Sequence, residues 1–205
     1  MNLPNSITMG RFVLALVLFG YLVHTDVCSG PSWVPAVLAG SLFIVVVITD
    51  ALDGYYARKL DQQTAFGRIA DPVVDKILVC GAFIFLVQAS WARAFHPQLT
   101  WIVVVLVGRE FMVSGLRGFI EARGVGFPAR WDGKLKMVLQ CIAVPAILAQ
   151  RAVDLSHPGE RWLVLTFDVI AWTSLWSMFA VTLTSGARYV GAAARVLRGD
   201  GGATA

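Results

Sequence analysis

Hydrophobic residues fall into six long runs along this chain, and short polar segments separate the runs. A helix that crosses the ~30 Å hydrocarbon core of a bilayer needs about 20 mostly apolar residues. The runs cover residues 4–23, 33–57, 70–89, 99–120, 134–148 and 162–190. The pattern predicts an all-α, polytopic membrane protein with six transmembrane helices.

The two ends of the chain differ from these runs. Pro4 and the polar pair Asn5 and Ser6 are typical of a helix start, with either polar residue as the N-cap. We expect a short N-terminal helix along the membrane interface before the first span. No linker-like stretch divides the chain, so residues 1–198 are expected to form a single domain, and the small residues of 199–205 a flexible tail.

Composition agrees with a membrane protein. Of 205 residues, 57% are hydrophobic and only 15% are charged, whereas soluble domains have about a quarter charged residues. The three cysteines, Cys28, Cys80 and Cys141, lack the spacing of a metal site. The net charge of +4 comes from basic residues between the apolar runs, which favours anionic lipid headgroups over nucleic acid as partners.

The basic residues also predict an orientation. If both termini lie on one side of the membrane, nine basic residues share that side and three lie opposite. The nine are Arg58, Lys59, Arg68, Arg117, Arg123, Arg130, Lys134, Arg195 and Arg198, and the three are Arg93, Arg151 and Arg161. The positive-inside rule therefore places both termini in the cytoplasm.

Acidic residues cluster where the second run ends and the third begins. Asp50, Asp53, Gly54 and Ala57 are spaced i, i+3, i+4, i+7, which places them on one face of a helix. Gly67, Asp71 and Asp75 follow at i, i+4, i+8 on the next helix. Because the connection is short, the two helices are expected to be antiparallel neighbours whose four carboxylates converge.

Four converging carboxylates repel one another, and cations can neutralise them. Hard divalent ions prefer oxygen ligands, and Mg²⁺ binds carboxylates together with substrate phosphates. Two such ions could hold a pyrophosphate and an attacking oxygen. The small residues leave room for a bulky ligand, and Arg58 can neutralise a phosphate. The alternative is structural, with the acids paired to Arg58, Arg68 and Lys76 at a wet interface.

The full string reads D-x2-D-G-x2-A-R-x8-G-x3-D-x3-D from Asp50 to Asp75. It resembles the signature of the CDP-alcohol phosphatidyltransferase family. The resemblance implies six helices, a cytoplasm-facing site, a CDP-activated lipid substrate, two Mg²⁺ or Mn²⁺ ions and a homodimer. It implies that Asp50, Asp53, Asp71 and Asp75 bind metal, that Asp75 is also the catalytic base, and that Asp53, Gly54, Ala57, Arg58 and Gly67 bind the CDP-lipid.

Later basic residues indicate the acceptor alcohol. Arg109 and Arg117 lie in the fourth run, and Lys134 and Lys136 begin the fifth. Together they could bind an anionic acceptor, since Arg and Lys both suit phosphate. The alternatives are an ion pair of Arg109 with Glu110 or Asp168, and a topological or headgroup role for the others.

These blocks, with Asn2-Leu-Pro4-Asn5 and Arg11 at the start, resemble bacterial members of the family that use glycerol 3-phosphate. Met137 stands where those members often carry Thr. Arg188, at the end of the sixth run, is a further candidate for binding the acceptor phosphate.

The sequence therefore predicts transfer of a phosphatidyl group from CDP-diacylglycerol to sn-glycerol 3-phosphate at a bacterial inner membrane. Within the same family, inositol phosphate or serine remains an alternative acceptor. Outside it, the alternatives are a small divalent-cation transporter, because intramembrane acids often mark ion pathways, and a non-enzymatic scaffold.

Overall fold

The computed structural model describes residues 3–25, 30–59, 65–122 and 131–197, and it describes side chains in 9–25, 30–49, 70–122 and 131–196 except that of residue 132. Within these ranges the chain forms seven α-helices and no strand. They are α1 (Leu3–His24), α2 (Val34–Lys59), α3 (Ala65–Gln88), α4 (Ser90–Phe95), α5 (Leu99–Glu121), α6 (Trp131–Ser156) and α7 (Arg161–Leu197). All six apolar runs are helical, which confirms the all-α class. The predicted flexible tail, 199–205, lies outside the described residues.

The predicted short interfacial helix at the N-terminus is wrong as a separate element. A single uninterrupted helix, α1, runs over Leu3–His24. Pro4 lies in its first turn, where proline is tolerated because its missing N–H would have no intrahelical partner. The additional short helix is instead α4, between α3 and α5.

The fifth predicted run, 134–148, was too short at its C-terminal end. Helix α6 continues to Ser156, past the polar residues Gln150, Arg151 and Asp154. Other parts of the fold stabilise this extension, since Gln150 bonds with His96 and Asp168, and Arg151 donates a hydrogen bond to the carbonyl of Gly30. Helix α7, with 37 residues, is about 55 Å long at 1.5 Å per residue and exceeds the thickness of a bilayer core.

Three helices in the described part of the chain are long and apolar enough to cross a membrane. They are Leu99–Glu121, Gly133–Ser156 and Arg161–Val196. The apolar stretches Met9–His24 and Val34–Thr49 are shorter. Large apolar side chains also face outward, with Phe111 67% and Trp101 74% exposed. Lipid acyl chains suit such a surface better than water does.

Helix α6 packs against α7 and α2, while α5 packs against α7 and α3. Helix α1 contacts both α2 and α3, and its Phe19 ring lies directly against Gly81, where a larger residue would clash. Fully buried side chains from five helices fill the centre: Phe43, Phe83, Leu106, Ile147 and Met178. This core separates two sets of buried polar side chains. One set includes Arg11, which contacts Asp75, and we call its location the Asp75 end. The other includes His96 and Gln150, and we call its location the His96 end.

Candidate active site

Both halves of the acidic motif are helical, as the spacing predicted. Asp50, Asp53, Gly54, Ala57 and Arg58 lie in the last turns of α2, and Gly67 lies in the first turn of α3. Their side chains are outside the described part of the structure. The convergence of the four carboxylates therefore stays a prediction. Asp71 and Asp75, on α3, are described and partly buried.

Asp75 is held by a residue from another helix. The Arg11 guanidinium of α1 donates a hydrogen bond to Asp75 Oδ1 across 3.1 Å. The Arg11 side chain is 3% exposed and that of Asp75 is 27% exposed. Because Arg11 is buried in an apolar helix, its charge needs a partner such as this carboxylate. The ion pair therefore orients the predicted base and ties α1 to α3.

A polar cavity of about 170 Å³ opens beside Asp75. Helices α3 and α6 each line it with residues spaced i, i+3, i+4, i+7, so that one face of each helix is turned toward it. Those faces carry Pro72, Asp75, Lys76 and Val79 from α3, and Gly133, Lys136, Met137 and Gln140 from α6; Cys80 and Glu110 complete the lining. A cavity that holds a single water needs only about 10–15 Å³. The cavity therefore has room for a small molecule.

Glu110 joins two of the predicted acceptor-binding cations. Its carboxylate pairs with the ammonium of Lys136, and the Arg109 guanidinium lies 3.4 Å away. All three side chains are at most 9% exposed. Since a buried charge is stable only with partners, the two cations and the carboxylate form one unit. The alternative reading of Arg109 as a partner of Glu110 is thus confirmed as a contact, whereas Asp168 lies with Gln150 instead.

Arg109 is further fixed by helix α7. Its guanidinium donates a hydrogen bond to Ser185 Oγ at 3.0 Å and lies 5.6 Å from the centre of the Tyr189 ring. Gly186 leaves space for it, because a Cβ there would lie 3.1 Å from Arg109 Cγ. The sixth apolar run therefore contributes to the site through residues that no sequence motif marked.

Of the predicted acceptor ligands, Lys136 lines this cavity, whereas Arg109, Arg117, Lys134 and Arg188 do not. Arg117 is exposed and pairs with Glu121 at 2.8 Å, one turn along α5. Lys134 and Arg188 are also exposed. Exposed pairs of this kind contribute little to stability, so the pair of Arg117 with Glu121 would cost little to open.

Three residues that the structure places here were not among the predicted site residues, although one of them was a candidate partner of Arg109. They are Arg11, Glu110 and Gln140. A signal existed for each, because charged or strongly polar side chains within apolar helices usually serve a function. The partners of Arg11 and Glu110 on other helices, Asp75 and Lys136, were not indicated by the sequence, however.

The chemistry of the described residues suits a hard divalent cation. Carboxylate oxygens are the preferred ligands of Mg²⁺ and Mn²⁺. The partly exposed carboxylate of Asp75 borders a cavity, and Asp71 lies one turn before it on α3. Among the described side chains, no group of three or more His, Cys, Asp or Glu could hold a metal ion.

An apolar groove of about 410 Å³ adjoins the polar cavity. It lies between α3 and α5, with Phe19 of α1 at one edge, and its lining includes Ile77, Ile84 and Phe111. Lys76 and Cys80 line both spaces, so the two are neighbours across α3. A polar cavity beside an apolar groove suits a molecule with a charged head and hydrocarbon tails.

The His96 end contains a separate buried chain of hydrogen bonds. His96 Nε2 and Gln150 Oε1 are 2.8 Å apart, and Gln150 Nε2 donates to Asp168 Oδ1 at 2.8 Å. Trp172 lies against the imidazole, with ring centres 5.1 Å apart. Burial lowers the pKa of His96 below its ordinary value, and the bond to Gln150 and the charge of Asp168 oppose this only in part. His96 is therefore neutral near pH 7 and ties the connection between α4 and α5 to α6 and α7.

The fold and site together define an all-helical protein with helices of membrane length, a charged cavity and an adjoining apolar groove. The sequence pattern of the CDP-alcohol phosphatidyltransferase family matches residues 1–193. The chain therefore belongs to the CDP-alcohol phosphatidyltransferase family, and it is an enzyme of that family.

Individual relatives match over nearly their whole length. A Bacillus subtilis (strain 168) protein is 36% identical over 198 residues, covering 92% of this chain and 93% of that protein. An Escherichia coli (strain K12) protein is 30% identical over 184 residues, covering 86% and 91%. One from Rickettsia bellii (strain RML369-C) is 29% identical over 189 residues, covering 92% and 93%. All three are named CDP-diacylglycerol–glycerol-3-phosphate 3-phosphatidyltransferase.

Proposed function

We propose that this protein is a phosphatidylglycerophosphate synthase, which transfers a phosphatidyl group from CDP-diacylglycerol to sn-glycerol 3-phosphate. The names of the relatives support both substrates. The structural observation that carries the proposal is the cavity at which Asp75, Glu110 and Lys136 meet. It combines a carboxylate that can take a proton from a hydroxyl with a cation that can hold a phosphate. A phosphorylated alcohol acceptor needs both groups.

The reaction is a substitution at phosphorus. The primary hydroxyl oxygen of glycerol 3-phosphate forms a bond to the phosphorus attached to diacylglycerol. The bond from that phosphorus to the bridging oxygen breaks, and CMP leaves with that oxygen. Asp75 takes the hydroxyl proton as general base. Arg11 holds Asp75 Oδ1 and so fixes the direction from which the proton is taken.

Asp50, Asp53, Asp71 and Asp75 would hold two divalent ions, Mg²⁺ or Mn²⁺. When bound, these ions neutralise the pyrophosphate and stabilise the charge on the departing nucleotide. The CDP moiety would lie along the small residues of the motif, and Arg58 would neutralise a phosphate. That pocket consists of Asp53, Gly54, Ala57, Arg58 and Gly67.

The acceptor phosphate would lie between the buried and the exposed cations. Lys136 reaches the cavity from α6, and Arg109 supports it through their shared partner Glu110. We propose that Arg117, Lys134 and Arg188 receive the phosphate at the mouth and that Lys136 holds it inside, with the charge of Arg109 behind it. Arg and Lys both form strong charge-assisted hydrogen bonds with phosphate.

The lipid tails would occupy the apolar groove between α3 and α5. The groove adjoins the cavity through Lys76 and Cys80, so tails in the groove would bring the lipid's phosphate close to an acceptor in the cavity. We further propose that α1, α2 and α3 cross the membrane as well, giving six spans. The Asp75 end would then face the cytoplasm of a bacterial plasma membrane, and two copies would form a homodimer.

The test is an acceptor assay on purified protein in detergent with Mg²⁺. CDP-diacylglycerol is supplied with glycerol 3-phosphate, inositol phosphate or serine, and the release of CMP is measured. Release that depends on glycerol 3-phosphate alone supports the proposal. Preference for either other acceptor would contradict it. Divalent-ion flux in liposomes without CMP release would favour a transporter instead.

A further inference from the structure

Gln140 has a position that the proposed reaction does not yet use. It lies on α6 one turn after Lys136, and both line the polar cavity beside Asp75. The residue is only 3% exposed. A large polar side chain buried at this depth usually has a partner for each of its polar atoms.

The amide nitrogen of Gln140 lacks such a partner among the residues that the structure describes. This Nε2 atom is itself buried. Gln150, ten residues later on α6, is equally buried but bonds through both Oε1 and Nε2. An unpaired buried amide destabilises the protein, because it has lost its hydrogen bonds to water. Its presence at a cavity wall therefore points to a ligand.

We propose that the Gln140 amide binds the second hydroxyl of the acceptor, the one that does not react. This inference rests on glycerol 3-phosphate being the acceptor. Lys136 is charged and suits the phosphate, whereas a neutral amide suits a neutral hydroxyl. One helical turn separates the two residues by about 5.4 Å, the scale of a three-carbon polyol phosphate.

A hydroxyl also suits either orientation of the amide. It can accept a hydrogen bond from Nε2 or donate one to Oε1. Gln140 would thus help the enzyme to distinguish glycerol 3-phosphate from phosphorylated alcohols that lack a hydroxyl at that carbon. The enzyme would discriminate in this way because a ligand without that hydroxyl leaves a buried polar group unpaired.

The test compares two acceptors and two variants. The acceptors are sn-glycerol 3-phosphate and 3-hydroxypropyl phosphate, which lacks only the second hydroxyl. For the wild-type enzyme we expect KM to be about threefold to tenfold higher with 3-hydroxypropyl phosphate, the range of one neutral hydrogen bond. In Gln140→Leu this ratio should fall to about one, because the variant has no amide to bind the hydroxyl.

The matched control is Gln150→Leu, the same change on the same helix outside the cavity. It removes two hydrogen bonds, so Tm should fall while the ratio of KM values stays at the wild-type level. Gln140→Leu removes no hydrogen bond within the described structure, so its Tm should stay at or above that of the wild type. Should Gln140→Leu fail to fold, Gln140→Met gives the same comparison.

The outcomes separate this inference from the proposed function. A wild-type enzyme that uses glycerol 3-phosphate but does not distinguish the two acceptors would overturn the role of Gln140 alone. An unchanged ratio in Gln140→Leu would do the same, since a bound water or another residue would then explain the discrimination. A wild-type enzyme inactive with glycerol 3-phosphate would overturn the proposed function, and the role of Gln140 with it.

Discussion

The Arg11 guanidinium lies 3.1 Å from the Asp75 carboxylate and connects the first helix to the third at the candidate site. If Asp75 is the base, Asp75→Asn should lower kcat at least about 100-fold, because general-base catalysis contributes about 10²–10⁴-fold. Affinity for CDP-diacylglycerol should stay within about threefold of the wild type. Turnover and lipid binding would be measured on the same preparation. A loss of binding as large as the loss of rate would contradict the assignment.

Changing Arg11 should reveal its positioning role. Arg11→Gln removes the charge that orients Asp75, so kcat should fall while both KM values change little. Arg11→Lys should restore part of the rate, because it keeps the charge but loses the fixed geometry of the guanidinium. If Arg11→Gln and Arg11→Lys are equally impaired in kcat, a charge-dependent role for Arg11 is wrong.

Glu110 should be important for stability as well as for the site. Glu110→Gln leaves Arg109 and Lys136 buried beside each other without their shared counter-charge. Breaking a buried ion pair on one side typically destabilises a protein by about 3–5 kcal/mol. Thermal unfolding in detergent should therefore show a clear fall in Tm.

Glu121→Gln is the matched control for that change. Glu121 also pairs with an arginine on α5, but both side chains are nearly half exposed. The expected loss is below about 0.5 kcal/mol, as for other exposed pairs one turn apart. Equal shifts in Tm for the two variants would mean that the Glu110 cluster is not a buried unit.

Most of the fold could be predicted from the sequence, because membrane-length helices depend on local runs of apolar residues. The end of α6 could not, since Gln150 and Arg151 look like a helix end until their partners on other segments are known. The single helix over Leu3–His24 was also missed, because Pro4 is compatible with either a break or a first turn.

The site was predictable only in part, for a similar reason. The spacing from Asp50 to Asp75 is a local pattern, so both helices and their acidic faces follow from the sequence alone. The meeting of Arg109, Glu110 and Lys136 depends on how α3 and α7 position α5 relative to α6. No local pattern specifies that arrangement, which is why the contact of Glu110 with Lys136 and the position of Gln140 were not predicted.

A bulky residue in the apolar groove should interfere with the lipid substrate alone. Ile84→Trp would fill part of the groove between α3 and α5. The KM for CDP-diacylglycerol should rise several-fold, while the KM for glycerol 3-phosphate should stay near the wild-type value. Ile142→Trp, at an exposed position on α6 outside the groove, is the control. A larger effect on glycerol 3-phosphate would place the lipid tails elsewhere.

The His96 end should make stability depend on pH. Burial lowers the pKa of His96 in the folded state below its unfolded value of about 6.5. Below pH 6.5 the unfolded chain therefore binds the proton more readily, and stability falls by up to about 1.4 kcal/mol per pH unit until the folded-state pKa is reached. Above pH 6.5 the contribution of His96 is constant.

His96→Gln should remove this dependence. It keeps a polar side chain but does not titrate, so its Tm should fall less between pH 7 and pH 5 than that of the wild type. Tm would be measured for both proteins across this range in one detergent. Parallel curves would show that other groups cause the acid sensitivity.

The central claim is that the cavity at Asp75 and Lys136 binds the phosphorylated acceptor. Its most direct test is to measure the KM values for both substrates in Lys136→Met. The charge-matched control is Arg195→Met, a change at an exposed position near the end of α7. Loss of one charged hydrogen bond predicts a rise of about tenfold to 100-fold in KM for glycerol 3-phosphate, with KM for CDP-diacylglycerol within twofold of wild type. Equal increases in both values, or no increase for glycerol 3-phosphate, would contradict this account.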